Sequence, residues 1–111
     1  MLYKVFYSDF FVPNGFSGWT VGPVIFIRPS KKDDIGLLEH EKTHVRQFWR
    51  NPFTYCRVLW NKKFVLETEV EAYKEQLKWC SEDRMEYFAN SIATKYGLNI
   101  TKEQALELLK Q

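Results

Sequence analysis

Two histidines four residues apart, with a glutamate directly after the first, carry the chemistry of this 111-residue chain: His40-Glu41-Lys42-Thr43-His44. On a helix, side chains at that spacing project from one face about one turn apart, so both imidazoles can meet a single ion of tetrahedral preference. Glu41 sits beside them. A carboxylate there can take the proton of a water whose pKa zinc has lowered toward neutrality, and hydrolysis of an amide is the natural use of that pair. The chain has two histidines in all, and chance alone sets such a pair four apart with glutamate after the first in roughly 0.2% of cases. Lys42 and Thr43 read as solvated or supporting residues.

A catalytic zinc site (Zn2+) takes three protein ligands and keeps a fourth position open, and no histidine remains to supply the third. A carboxylate or a thiolate must serve. A later predicted helix carries Glu67, Glu69 and Glu71 around an apolar stripe of Leu66, Val70, Tyr73, Leu77 and Cys80. At about 100° per residue, Glu69 falls roughly 60° from the centre of the stripe, whereas Glu67 and Glu71 fall about 100° to 140° away on the other side, beside Lys74 and Lys78. Pairing with those lysines at helical spacing accounts for Glu67 and Glu71 as a solvated face. Glu69 is the metal ligand this geometry favours, with Glu71 next.

The residues His40 to His44, the following Gln47, and the segment Glu69-Val70-Glu71-Ala72-Tyr73 together resemble the gluzincin metallopeptidases, in which HExxH is followed on a later helix by a glutamate ligand. The chain is most similar to the minimal soluble members of that group, the minigluzincins. Glu69 to Ala72 aligns with their ExxA segment. Tyr73 departs from the pattern, since several relatives have aspartate there. The resemblance implies a zinc endopeptidase with a zincin-like core, binding extended peptide or protein substrate along a sheet edge. Val24, Ile25 and Phe26 are the candidate edge strand, and the same residues fit an inner strand. Tyr73 or an arginine is left to steady an oxyanion, with core packing the plainer role for Tyr73. The resemblance also implies a latent zymogen. The leucine-rich segment 98–111 could then lie in the cleft with Glu107 or the terminal carboxylate near zinc, and an ordinary packed last helix is the plainer reading.

The elements that must hold these residues follow from local signals. Leu2 to Val12, Trp19 to Val21 and Val24 to Arg28 are aromatic or β-branched runs broken by Pro13-Asn14-Gly15, Gly22-Pro23 and Pro29, and read as three strands. Their short connections predict an antiparallel meander. Asp33 and Asp34 cap a helix from about Ile35 to Trp49, with Ile35, Leu38, Val45, Phe48 and Trp49 as its buried stripe. Asn51-Pro52 starts a second helix, to Trp60, and a third runs from about Lys62 to Cys80. Ser81-Glu82-Asp83 opens a fourth with the stripe Met85, Phe88, Ile92 and Tyr96, ended by Gly97. Thr101 and Gln104 have capping-box spacing for a last helix from Lys102 to Lys110. The expected fold is α+β: one domain over residues 1–111, with a small three-stranded antiparallel sheet packed on the active-site helix and further C-terminal helices.

Composition narrows the alternatives. With 45% apolar, 27% charged and 17% aromatic residues, the chain is expected to be a soluble globule whose bulky rings supply much of its burial. No run is long enough to span a bilayer, and no secretory signal is evident, so the expected location is the cytoplasm. Cys56 and Cys80, without CxxC spacing, read as buried thiols. A net charge of +2 and isolated lysine pairs give no field for nucleic acid. Two other classes remain alternatives: a zinc-binding interaction module without turnover, and a nucleic-acid or protein adaptor with a chance HExxH.

Overall fold

In the computed structural model, which describes residues 1–80 and 83–111, the HExxH residues lie on a helix whose start is fixed by Asp34. Its side chain accepts a hydrogen bond from the Leu37 amide at 3.0 Å and satisfies one of the free donors of α1, Ile35–Arg50. Asparagines start the next two helices in the same way. Asn51 accepts from the Thr54 amide at the head of α2, Pro52–Tyr55, and Asn61 from the Phe64 amide at the head of α3, Lys62–Leu77. The segment expected as one helix to Trp60 is split, because the chain tightens into a 3-10 turn over Cys56–Leu59 before Asn61 restarts it. α4 is Met85–Lys95 and α5 is Lys102–Lys110, the latter with both bonds of the Thr101–Gln104 capping box. Gly97, at φ 63°, takes the left-handed conformation beyond the end of α4. Of the acidic start expected for α4, Ser81 and Glu82 lie outside the described residues, and Asp83 accepts from the Met85 amide.

The sheet is mixed rather than antiparallel. Strands β1 (Lys4–Tyr7), β2 (Gly18–Val21) and β3 (Val24–Ile27) are ordered β1-β3-β2, with β3 parallel to β1 and antiparallel to β2. The reason lies in the connections. Gly22, at φ 58°, and Pro23 form a two-residue turn that pairs β2 with β3 directly. The link from β1 to β2 spans residues 8–17, too long for a tight hairpin, and the Pro13-Asn14-Gly15 turn falls inside it instead of joining strands. Arg28 holds this link from the end of β3, donating to the Phe16, Val12 and Pro13 carbonyls and to the Asp9 carboxylate.

Packing departs from the expected stripes in instructive ways. α1 lies between the sheet and α3, so its buried face is wide and largely polar: His40, Glu41, Thr43, His44 and Gln47 are buried, while Ile35 and Trp49 are exposed. Most of the aromatic content also lies outside the core. The largest fully buried side chains are Ile25, Ile27, Ile92 and Val45, and only Tyr73 and Phe88 among the Phe, Tyr and Trp side chains of the described residues are buried. One apolar cluster joins β3 to α1 through Ile25, Ile27, Leu37 and Val45. The other joins α3, α4 and α5 through Tyr73, Phe88, Ala89, Ile92, Ala105 and Leu109. Cys56 is exposed and Cys80 half-buried, so neither is the fully buried thiol expected. Among the described residues no helix is long and apolar enough to cross a membrane.

Candidate metal centre

α1 and α3 pack against each other in opposite directions: Gly36, near the start of α1, faces Gln76 near the end of α3, and Gln47 reaches Thr68. That crossing sets Glu69 against both histidines. Its two oxygens lie 3.2 Å from His40 Nε2 and 3.1 Å from His44 Nε2, and all three residues are buried. These separations suit one ion, because bonds of about 2.0–2.1 Å in a tetrahedron put neighbouring donors about 3.3 Å apart. Among the described residues, buried Glu69 Oε1 has no hydrogen-bond partner, the condition in which a metal-ligating oxygen would be left. Two imidazoles and a carboxylate facing an open cleft are a donor set that fits zinc.

Electrostatics tie the three together. Burial works against a charged His44, but the Glu69 carboxylate outweighs it with help from Glu41 and Gln47, and the imidazole is pushed up to about 9. Burial likewise opposes a charged Glu69, yet the two histidines hold its carboxyl far below the usual range. His44 is oriented from behind. Its Nδ1 lies 2.9 Å from Gln47 Oε1, while Gln47 Nε2 donates to the Thr68 carbonyl and to Glu71 Oε1. With Nδ1–H donating to Gln47, Nε2 keeps its lone pair for a metal. Glu71 thus supports a ligand from the far side, held by Arg50 at 3.0 Å, and pairs with neither Lys74 nor Lys78. His40 has no such support among the described residues: its Nδ1 is buried without a partner there, and the ring of Tyr73 packs edge-on against it at 4.4 Å.

Glu41 is fixed from the sheet. Thr20 Oγ1 donates to Glu41 Oε1 at 2.7 Å, and Gly18 is so close that a β-carbon there would stand 2.9 Å from Glu41 Oε2. Nothing in the spacing of Gly18 or Thr20 announces this role, since both act across more than twenty residues. The triad and Glu41 open onto a cleft of about 860 Å3 that β2 borders from Gly18 to Val21.

The structure also places the remaining candidates, and for the proposed edge strand it corrects the sequence reading. Val24, Ile25 and Phe26 form the central strand, paired on both sides, so β2 offers the free edge instead. The Tyr73 hydroxyl is engaged with that of Tyr96 at 2.9 Å, which leaves it poorly placed to meet a substrate. Tyr55, which the sequence did not single out, lines the cleft with no hydrogen-bond partner for its hydroxyl among the described residues, and burial together with Glu69 and Glu41 keeps it protonated. Segment 98–111 lies away from the cleft: α5 packs on α3 and α4 through Ala105 and Leu109, Lys74 Nζ donates to the Gln111 carbonyl, and Glu107 is exposed beside Lys110. No protein-family model matches the chain, and neither a curated protein nor a solved structure is significantly similar to it.

Proposed function

We propose that this protein is a zinc-dependent endopeptidase of the gluzincin type on a zincin-like fold. The observation that carries the reading is the convergence of His40, His44 and Glu69 on one point, with Glu41 held beside them at the bordering strand of an open cleft. His40 and His44 Nε2 and a Glu69 oxygen would hold the ion, which when bound supplies Lewis acidity at its open position. The chain's own residues do the rest. Backbone groups on the free edge of β2 hold an extended peptide by strand addition, which sets the scissile bond over Glu41. Glu41, aimed by Thr20, takes a proton from the attacking water and returns it to the leaving amine. Tyr55, protonated and free to donate, steadies the oxygen on which negative charge develops.

Zinc per chain, thermal stability and hydrolysis of a mixed peptide pool test the reading together, on the native sequence and on Glu69→Ala, Glu71→Ala and Glu41→Gln. The expected pattern is about one zinc per chain with a raised melting temperature. Glu69→Ala should lose the metal, Glu71→Ala should retain it with weakened affinity, and Glu41→Gln should retain it without turnover. Absence of zinc after reconstitution would remove the mechanism. Bound zinc with no cleavage of any peptide would leave a metal-stabilised interaction module.

A further inference from the structure

The cleft has two chemically different ends. Along α1 its lining runs from Asp34 and Leu37 past the triad to Phe48, and beyond Phe48 it is continued by Tyr55, Val58 and Val65, an apolar end. β2 gives the same order, with Gly18 against Glu41 and Gly22 against Phe48. The opposite end lies beside Phe16, just before β2, which meets Tyr96 at 5.5 Å. There Arg84, the residue just before α4, and Phe88, Ser91 and Lys95 on one face of α4 line the cleft at spacings of three and four.

The two cations on that face are uncommitted. Arg84, half-buried, lays its guanidinium 4.4 Å over the ring of Tyr87, and Lys95 Nζ stands 5.6 Å over Phe16. Among the described residues neither side chain has a hydrogen bond or an ion pair. Lys31 lines the cleft as well, again unpaired. The carboxylates lining the cleft are engaged elsewhere: Asp34 caps α1, Glu41 is bonded to Thr20, and Glu69 meets the histidines. A guanidinium stacked on a ring is held in orientation with its N–H edge free, the geometry that suits a carboxylate.

We propose that the α4 end of the cleft is a carboxylate-reading subsite in which Arg84 and Lys95 select peptides presenting an acidic side chain or a free C-terminal carboxylate, while an apolar side chain fills the end near Phe48, Val58 and Val65. This rests on the peptidase reading for the peptide nature of the ligand. The charge preference is a separate property of the cleft and can be measured without turnover.

The test compares three sets of fluorescent peptides that share an apolar residue: neutral with an amidated C-terminus, neutral with a free C-terminus, and Asp- or Glu-containing with an amidated C-terminus. In zinc-loaded full-length protein, at least one carboxylate set should exceed the neutral amides by about tenfold in kcat/KM, equivalent to about 1.4 kcal/mol. Which set does so identifies the source of the carboxylate. In the double variant Arg84→Glu, Lys95→Glu, the preference should shift to Lys- or Arg-containing peptides. Equal rates across the sets, or a preference that survives the charge reversal, would overturn the subsite even though the peptidase stands. If no peptide is cleaved, binding to zinc-loaded Glu41→Gln protein by fluorescence anisotropy decides. Carboxylate peptides bound about tenfold more tightly would uphold the subsite while the peptidase reading fails. Equal binding, or none, would overturn it.

Discussion

At the level of single side chains, the candidate centre would set one proton against one metal ion. Glu69 pairs through Oε2 with His44, whose pKa is raised from 6.5 to about 9. A folded-state pKa above the unfolded one stabilises the native chain fully below pH 6.5, and that contribution is lost as pH rises through about 9. Glu69 has the opposite sign: its lowered pKa stabilises above the ordinary carboxylate value of 4.5 and is lost as pH falls below it. Zinc would displace the His44 proton, so binding well below pH 9 should release about one proton and tighten with rising pH. Calorimetry in buffers of differing ionisation enthalpy measures this; a buffer-independent heat at pH 7.5 would exclude it. Gly18 offers a second test at the same scale. The three atoms nearest a methyl group there, at 2.9 to 3.2 Å, all belong to the Glu41 side chain and none to backbone, so Gly18→Ala should fold and bind zinc. Displacing the carboxylate should nevertheless lower hydrolysis about 100-fold. A variant with full activity would show that Glu41 has no need of that position.

Among elements, the decisive relation is the opposed packing of α1 and α3. It brings residues twenty-five or more apart, His44 and Glu69, into contact at 3.1 Å, and it lets Gln47 and Glu71 brace the ligand from behind. The terminal helix belongs to the same scaffold. α5 covers Phe88, Ala89 and Ile92 of α4 and Tyr73 of α3, and Tyr73 packs on His40. Truncation after Gly97 should therefore remove about 5 kcal/mol of apolar burial, a large share of the stability of a domain this size. The expected result is a sharply lower melting temperature and no gain in peptidase rate. A stable truncated protein with unmasked activity would instead support the latency role that the resemblance implies.

Over the whole molecule, the candidate metal centre lies in a polar seam between two apolar clusters, one built on the sheet and α1, the other on α3, α4 and α5. Thr68, Glu69 and Gln76 of α3 are buried in this seam opposite the polar face of α1. Small domains usually fill such an interface with apolar side chains, and buried polar groups without partners are costly. Here the rings that could have filled it are largely on the surface, Phe10, Phe53 and Trp60 among them. An ion linking α1 to α3 would satisfy the seam and join the two clusters, which ties stability to the same atoms as the proposed chemistry.

Whatever depends on neighbours along the chain was legible in the sequence. HExxH lies on a helix begun by Asp34, the Thr101–Gln104 box caps the last helix, and helical angles alone separated Glu69 from Glu67 and Glu71. These follow from the fixed geometry of one turn and from the local needs of free backbone groups. The strand order, the edge beside the cleft, the grip of Thr20 and Gly18 on Glu41, the bracing of His44 through Gln47 and the cationic face of α4 were decided by tertiary structure. A loop of ten residues can return its strand to either side of a neighbour, and contacts across twenty residues leave no period in the sequence. Only the packed chain selects among them.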